Sequence, residues 1–110
     1  MSRSDRERVD DIRVDCLAIA DYLGRTDAAE DLIFDAIRMR LIEIGEATKD
    51  LTLQTRESEP SIPWSEIARL RDHLAHRYFD TTHSILSNTA RNEIPTLLEA
   101  TERLTVRLAL

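Results

Sequence analysis

The chain has 110 residues, 42% of them apolar and 33% charged, and a formal charge of -6. That length suits one domain with a modest core, which a partner subunit would help to stabilise. The charge argues against nonspecific nucleic-acid binding over the whole surface, because such binders neutralise phosphate with an excess of basic residues. No apolar run is long enough to cross a bilayer, and the opening Met1-Ser2-Arg3-Ser4-Asp5-Arg6-Glu7 lacks a hydrophobic signal core. The one cysteine, Cys16, has no partner for a disulfide within the chain and fits a reducing, cytoplasmic setting.

Only two glycines and three prolines punctuate the chain. A sheet protein needs many more turns, so long helices are expected. Ser4 and Glu7 have capping-box spacing, and Val9, Ile12, Cys16, Ile19 and Leu23 recur in helical steps, with Gly24 as a stop. A second helix is expected from near Asp27, with Glu30 suited to the positive end of its dipole and Ile33, Ile37, Leu41, Ile44, Thr48 and Leu51 as its seam. Gly45 lies inside that helix, where it costs about 1 kcal/mol against alanine. The plain explanation is a close approach by another helix, and Glu43 and Glu46 beside it read as solvated surface. From about residue 53 to 63 the pattern breaks into loop chemistry, with Pro60 and Pro63. Pro63 suits the first turn of a third helix with Ile67, Leu70 and Leu74 buried and Trp64 as its anchor. Asp80-Thr81-Thr82 marks another start, and Leu86, Ala90, Ile94, Leu97, Thr101, Leu104 and Leu108 hold helical phase from there. Pro95 predicts a kink near Arg91 in that last helix. The expectation is a single all-α domain over residues 1–110, a mostly antiparallel four-helix bundle with a kinked last helix.

All three histidines fall between His73 and His83, within or just after Arg71-Asp72-His73-Leu74-Ala75-His76-Arg77-Tyr78. Imidazole can exchange a proton near neutral pH, and guanidinium can hold phosphate in bidentate fashion. From residue 64 to 78, Arg69, Arg71 and Arg77 outnumber Glu66 and Asp72, so this window is mildly basic on an acidic body. Arg71 and His76 are separated by about 140° and roughly 7.5 Å on a regular helix, which puts them on one edge rather than one face. Two copies pooled across a symmetric dimer would make a better site than one. Asp72, His73 and His76 could suggest a metal, but a structural zinc site wants four protein ligands and Cys16 sits on a remote apolar seam, so no metal site is expected. His83 reads as structural, and Asp10, Asp11 and Asp15 as solvated helix surface.

The form of Arg71 to Tyr78 resembles the signature of HEPN-domain ribonucleases, the HepT-like toxins in particular. Ile44-Gly45-Glu46-Ala47 and Ile62-Pro63-Trp64 resemble two further blocks of that family, and the likeness runs from about Val9 to Leu104. It implies a metal-independent endoribonuclease, a homodimer whose cleft between protomers holds the arginine and histidine, with the RNA 2′-hydroxyl as nucleophile. Carried over, Arg71 would stabilise the charged transition state and His76 would be the general acid or base. Asp72 stands where the family most often has asparagine, and would support one of them. His73, Arg69 and Arg77 could contact RNA. The family also implies a minimal nucleotidyltransferase antitoxin that transfers AMP to the motif tyrosine, here Tyr78. This chain lacks a glycine-rich nucleotide cradle, so no cofactor of its own is expected. The alternative is a noncatalytic, substrate-binding companion of a nucleotidyltransferase.

Overall fold

The computed structural model describes residues 3–76 and 83–109, which fold as helices joined by short connections, without strands. In chain order these are α1 (Asp5–Leu23), α2 (Glu30–Asp50), α3 (Leu53–Glu57), α4 (Trp64–His76), α5 (His83–Asn92) and α6 (Ile94–Leu108). The capping box at Ser4 is complete: the Glu7 amide donates to Ser4 Oγ at 3.2 Å, and the Ser4 amide donates to Glu7 Oε1 at 3.1 Å. α2 begins at Glu30, later than Asp27, because Asp27 accepts from Arg25 Nη1 at 3.4 Å instead of capping a helix. The broken region holds the short α3, which the sequence pattern did not foresee. Thr52 caps it, and Asp5 of α1 accepts from the hydroxyls of Thr52 and Thr55 at 2.5 Å each.

α2 is the central element, packed against α1, α4 and α5, while α6 lies along α1 and α5. The core draws Val9, Ile12, Cys16 and Ile19 from α1, Ile37, Leu41 and Ile44 from α2, Leu74 from α4, and Leu86, Leu97 and Leu104 from α5 and α6. Each such side chain contributes about 1.5–3 kcal/mol by leaving water. Ile67 and Leu70 are half-buried at the edge of this cluster. The seam expected of the last helix is continuous through Leu86, Ala90, Ile94, Leu97, Thr101 and Leu104. Its kink is a break at Glu93, with Pro95 in the first turn of α6. The Glu93 amide still donates to Thr89 O and the Leu97 amide to Glu93 O, so the apolar phase survives the bend.

Two features decide how the helices sit. The first is Gly45, buried where α2 meets α4. A Cβ added there would lie 2.1 Å from Arg71 Cβ and 3.2 Å from Arg71 Cα. The close approach expected from a glycine inside the helix is therefore made by Arg71, through its Cβ and Cγ first and its Cα next. The second is Asp15, which corrects the reading of Asp10, Asp11 and Asp15 as solvated surface. Asp10 is exposed, but Asp15 is buried. It accepts from Arg40 Nη1 at 2.9 Å, and Arg40 also donates to the Tyr22 hydroxyl at 3.2–3.3 Å. Helical periodicity puts Asp15 beside the buried Cys16 at the α1–α2 seam, and Arg40 from α2 supplies the missing countercharge. Burial pushes the Asp15 carboxyl up to about 6 even with Arg40 lowering it, and Glu43 adds to the rise. Burial likewise pushes the Cys16 thiol up to about 12, as expected of an inert structural cysteine.

Gly45→Ala should destabilise the fold by about 1–3 kcal/mol, since overpacking outweighs the gain in helix propensity. Urea denaturation reads this directly, and a variant as stable as the parent would refute the contact. Asp15 has a folded pKa above its ordinary 3.8. The stability it adds is thus complete below that value and lost as pH rises through about 6. Melting temperatures of the parent should carry a decline between about pH 4 and 6 that Asp15→Asn lacks. Parallel profiles for the two proteins would contradict this.

Candidate active site

The site is built on α4, so the start of that helix matters. Trp64 is buried there as expected, and its Nε1–H donates to the carbonyls of Arg56 and Glu59 at 3.0 and 3.1 Å. The Glu59 carboxylate is buried too, and Arg103 Nη2 of α6 donates to it at 2.7 Å. Arg107 of α6 also pairs with Glu59 and donates to Ser58 O at 3.1 Å. The Arg103 hydrogen bond, followed by that of Arg107, holds the Glu59 carboxyl below its ordinary range against the opposing effect of burial. Two arginines thus tie the loop to α6, and α4 leaves that loop in a fixed direction.

Seven residues beyond Trp64, Arg71 presses its Cα and the root of its side chain against Gly45. Its side chain is 24% exposed and its Nε lies 2.8 Å from Glu46 Oε2. That Nε–H is buried without an aligned hydrogen bond, so the Glu46 contact acts through charge rather than direction. Glu46 is therefore more than solvated surface: it stands on the flank of the guanidinium. Arg71 Nη1 donates to Asp72 Oδ1 at 3.2 Å, and Lys49 Nζ donates to the same oxygen at 3.2 Å. These two hydrogen bonds, that of Lys49 first, hold the Asp72 carboxyl below its usual range. At neutral pH Asp72 is a carboxylate with two cations on one oxygen. Lys49 was absent from the sequence reading, although its place four residues after Gly45 on the same helix face was the available signal.

His76 is the last residue of α4 and is exposed. Asp72 lies one turn before it, so Arg71, Asp72 and His76 form a strip that runs from the α2 contact outward to the helix end. His73 and Arg69 are exposed as well, and Arg69 makes no ion pair among the described residues. Both histidines sit in the last turn of α4. Arg77 and Tyr78 fall outside the described residues, as does the expected start at Asp80. His83, expected to be structural, stacks on Phe34 with ring centroids 4.4 Å apart.

An open groove of about 640 Å³ runs between α1 and α2 and ends at Arg71. Arg8, Asp11, Val14, Ile42 and Glu46 are among its lining residues. Both charge signs meet there on a partly apolar floor, a composition that suits protein contact better than bare phosphate. Among the described residues no three histidine, cysteine or carboxylate side chains converge as metal ligands. No described helix is long and apolar enough to cross a membrane.

Over 109 residues the chain is 33% identical to a protein named as a ribonuclease HepT from Thermococcus cleftensis, covering 94% of this chain and 98% of that one. It is 40% identical over 72 residues to a protein named as an RNase from Caldanaerobacter subterraneus, covering 64% of each. A Methanocaldococcus jannaschii protein, also named as an RNase, is 32% identical over 88 residues and shares 71% of this chain and 73% of its own length. No solved structure matches the chain. The model of the HepT-like ribonucleases matches residues 13–104, a span that takes in Gly45, Arg71 and His76, and the chain belongs to that family.

Proposed function

We propose that this chain is a metal-independent endoribonuclease, the toxin of a cytoplasmic toxin–antitoxin pair, with its active site shared across a homodimer. The observation that carries the reading is the strip of Arg71, Asp72 and His76 on one edge of α4, in a chain of a ribonuclease family. The RNA 2′-hydroxyl attacks the adjacent phosphorus. The O2′–P bond forms and the P–O5′ bond breaks, leaving a 2′,3′-cyclic phosphate and a 5′-hydroxyl. One His76 takes the 2′ proton as base, and the partner's His76 gives a proton to the departing O5′ as acid. Arg71 stabilises the charge that builds on the nonbridging oxygens. Asp72 supports Arg71, while His73, Arg69 and Arg77 hold neighbouring stretches of the RNA backbone. An attack by the substrate's own hydroxyl, with guanidinium in place of a Lewis acid, gives a metal no necessary step.

The switch is Tyr78, two residues beyond His76. AMP transferred to its hydroxyl by a minimal nucleotidyltransferase antitoxin would add bulk and negative charge beside the strip and repel RNA. A second reading, a noncatalytic companion that presents substrate to a nucleotidyltransferase, draws support from the charge of -6 and from the two carboxylates that already hold Arg71.

With structured RNA in excess EDTA, the parent should cut, and Arg71→Ala and His76→Ala should each lose about 10²–10⁴-fold in rate. An inert parent, or variants that cut as well as the parent, would favour the companion reading. After incubation with the cognate nucleotidyltransferase and ATP, intact-mass and peptide spectra should place AMP on Tyr78. Tyr78→Phe should stay unlabelled and remain toxic in its presence; labelling of Tyr78→Phe to the parental extent would dispose of the switch.

A further inference from the structure

The least expected feature of the α4 strip is that its only acidic member is already engaged. Asp72 Oδ1 is 3.2 Å from Lys49 Nζ and 3.2 Å from Arg71 Nη1. One anionic oxygen shared by an ammonium and a guanidinium is the arrangement that a nonbridging phosphate oxygen would adopt. The side chains of Lys49 and Asp72 are 43% and 51% exposed, so the oxygen sits at the surface, within reach of a ligand. Exposed pairs of this kind are held weakly and exchange readily. The cations themselves are well placed. Gly45 lets the Arg71 backbone seat on α2, and Lys49 stands one turn further along the same face of α2. Glu46 occupies the Nε side of the guanidinium and leaves Nη1 toward Asp72.

We propose that Lys49 and Arg71 form a seat for one RNA backbone phosphate, and that Asp72 occupies this seat in the free protein as an internal competitor. The inference rests on the ribonuclease reading of the same strip and adds to it a substrate-binding lysine from α2. Exchange conserves charge, since a singly charged phosphodiester replaces a singly charged carboxylate between the same two cations. Asp72 therefore sets how tightly RNA binds, and Lys49 takes the phosphate once the carboxylate has swung aside. Substitution of asparagine at residue 72 would remove the competing charge from Lys49 and from Nη1 of Arg71, with Glu46 still on the Nε side.

The test separates binding from cleavage. The probe is a fluorescein-labelled, fully 2′-O-methylated 12-nucleotide RNA, which has no 2′-hydroxyl to attack and is bound uncut. Anisotropy is read over a series of salt concentrations. Asp72→Asn should bind several-fold tighter than the parent. Lys49→Met should bind several-fold weaker, and its log–log salt slope should shrink by about 0.7, the value of one phosphate contact on a single strand. Lys49→Arg should keep the parental slope, and the gain from Asp72→Asn should shrink in the Lys49→Met background. A Lys49→Met protein with parental affinity and slope, or an Asp72→Asn protein no tighter than the parent, would overturn the seat. Cleavage of unmodified RNA is scored separately. A parent that binds the probe through Lys49 but never cuts keeps the seat and loses the ribonuclease reading, whereas one that cuts without any effect of Lys49 loses the seat alone.

Discussion

The contact between Gly45 and the root of the Arg71 side chain is the constraint on which the rest of this molecule depends. A helix normally keeps its neighbours 8–10 Å away by the width of its side chains. Removing one side chain at the crossing point brings α4 close enough for Arg71 to lie along α2 with its guanidinium at the surface. The consequence is electrostatic as much as steric. Glu46 and Lys49, one and four residues after the glycine on α2, come within salt-bridge reach of Arg71 and Asp72. Chemistry-bearing groups from two helices are thus assembled by the absence of a methyl group.

Much of this was legible in the residues. Capping chemistry at Ser4, the apolar stripes of the long helices and the prolines at 60 and 63 lead to an all-α bundle. A glycine in the middle of a helix points to a close crossing. What periodicity could not supply was the partner across each crossing. It placed Asp15 beside Cys16 without revealing that Arg40, from another helix, would make burial tolerable. It left Lys49 among ordinary surface lysines, because only the α4 neighbour gives it a role. The short α3 escaped notice because its helix is stabilised from outside, by Asp5 of α1 accepting from both threonine hydroxyls.

The acidic net charge and the basic strip are reconciled by local pairing. Carboxylates near the strip and groove stand against cations: Asp15 and Glu43 against Arg40, Glu46 against Arg71, and Asp72 between Lys49 and Arg71. Beyond about 10 Å such pairs cancel at moderate salt, so an approaching polyanion responds to the exposed cations nearest its path rather than to the total charge. A nucleic-acid surface can in this way be small and specific on a protein of pI about 5.0.

The pairing of Glu59 with Arg103 and Arg107 spans 44 and 48 residues of sequence. The carboxylate that steadies the beginning of α4 thus depends on cations from a helix far along the chain. Until α6 docks, that carboxylate has neither guanidinium beside it, and the loop before α4 is not yet tied down. Fixing the entry to α4 is thus a non-local step, with a loop-closure entropy that the local turns of each helix do not carry.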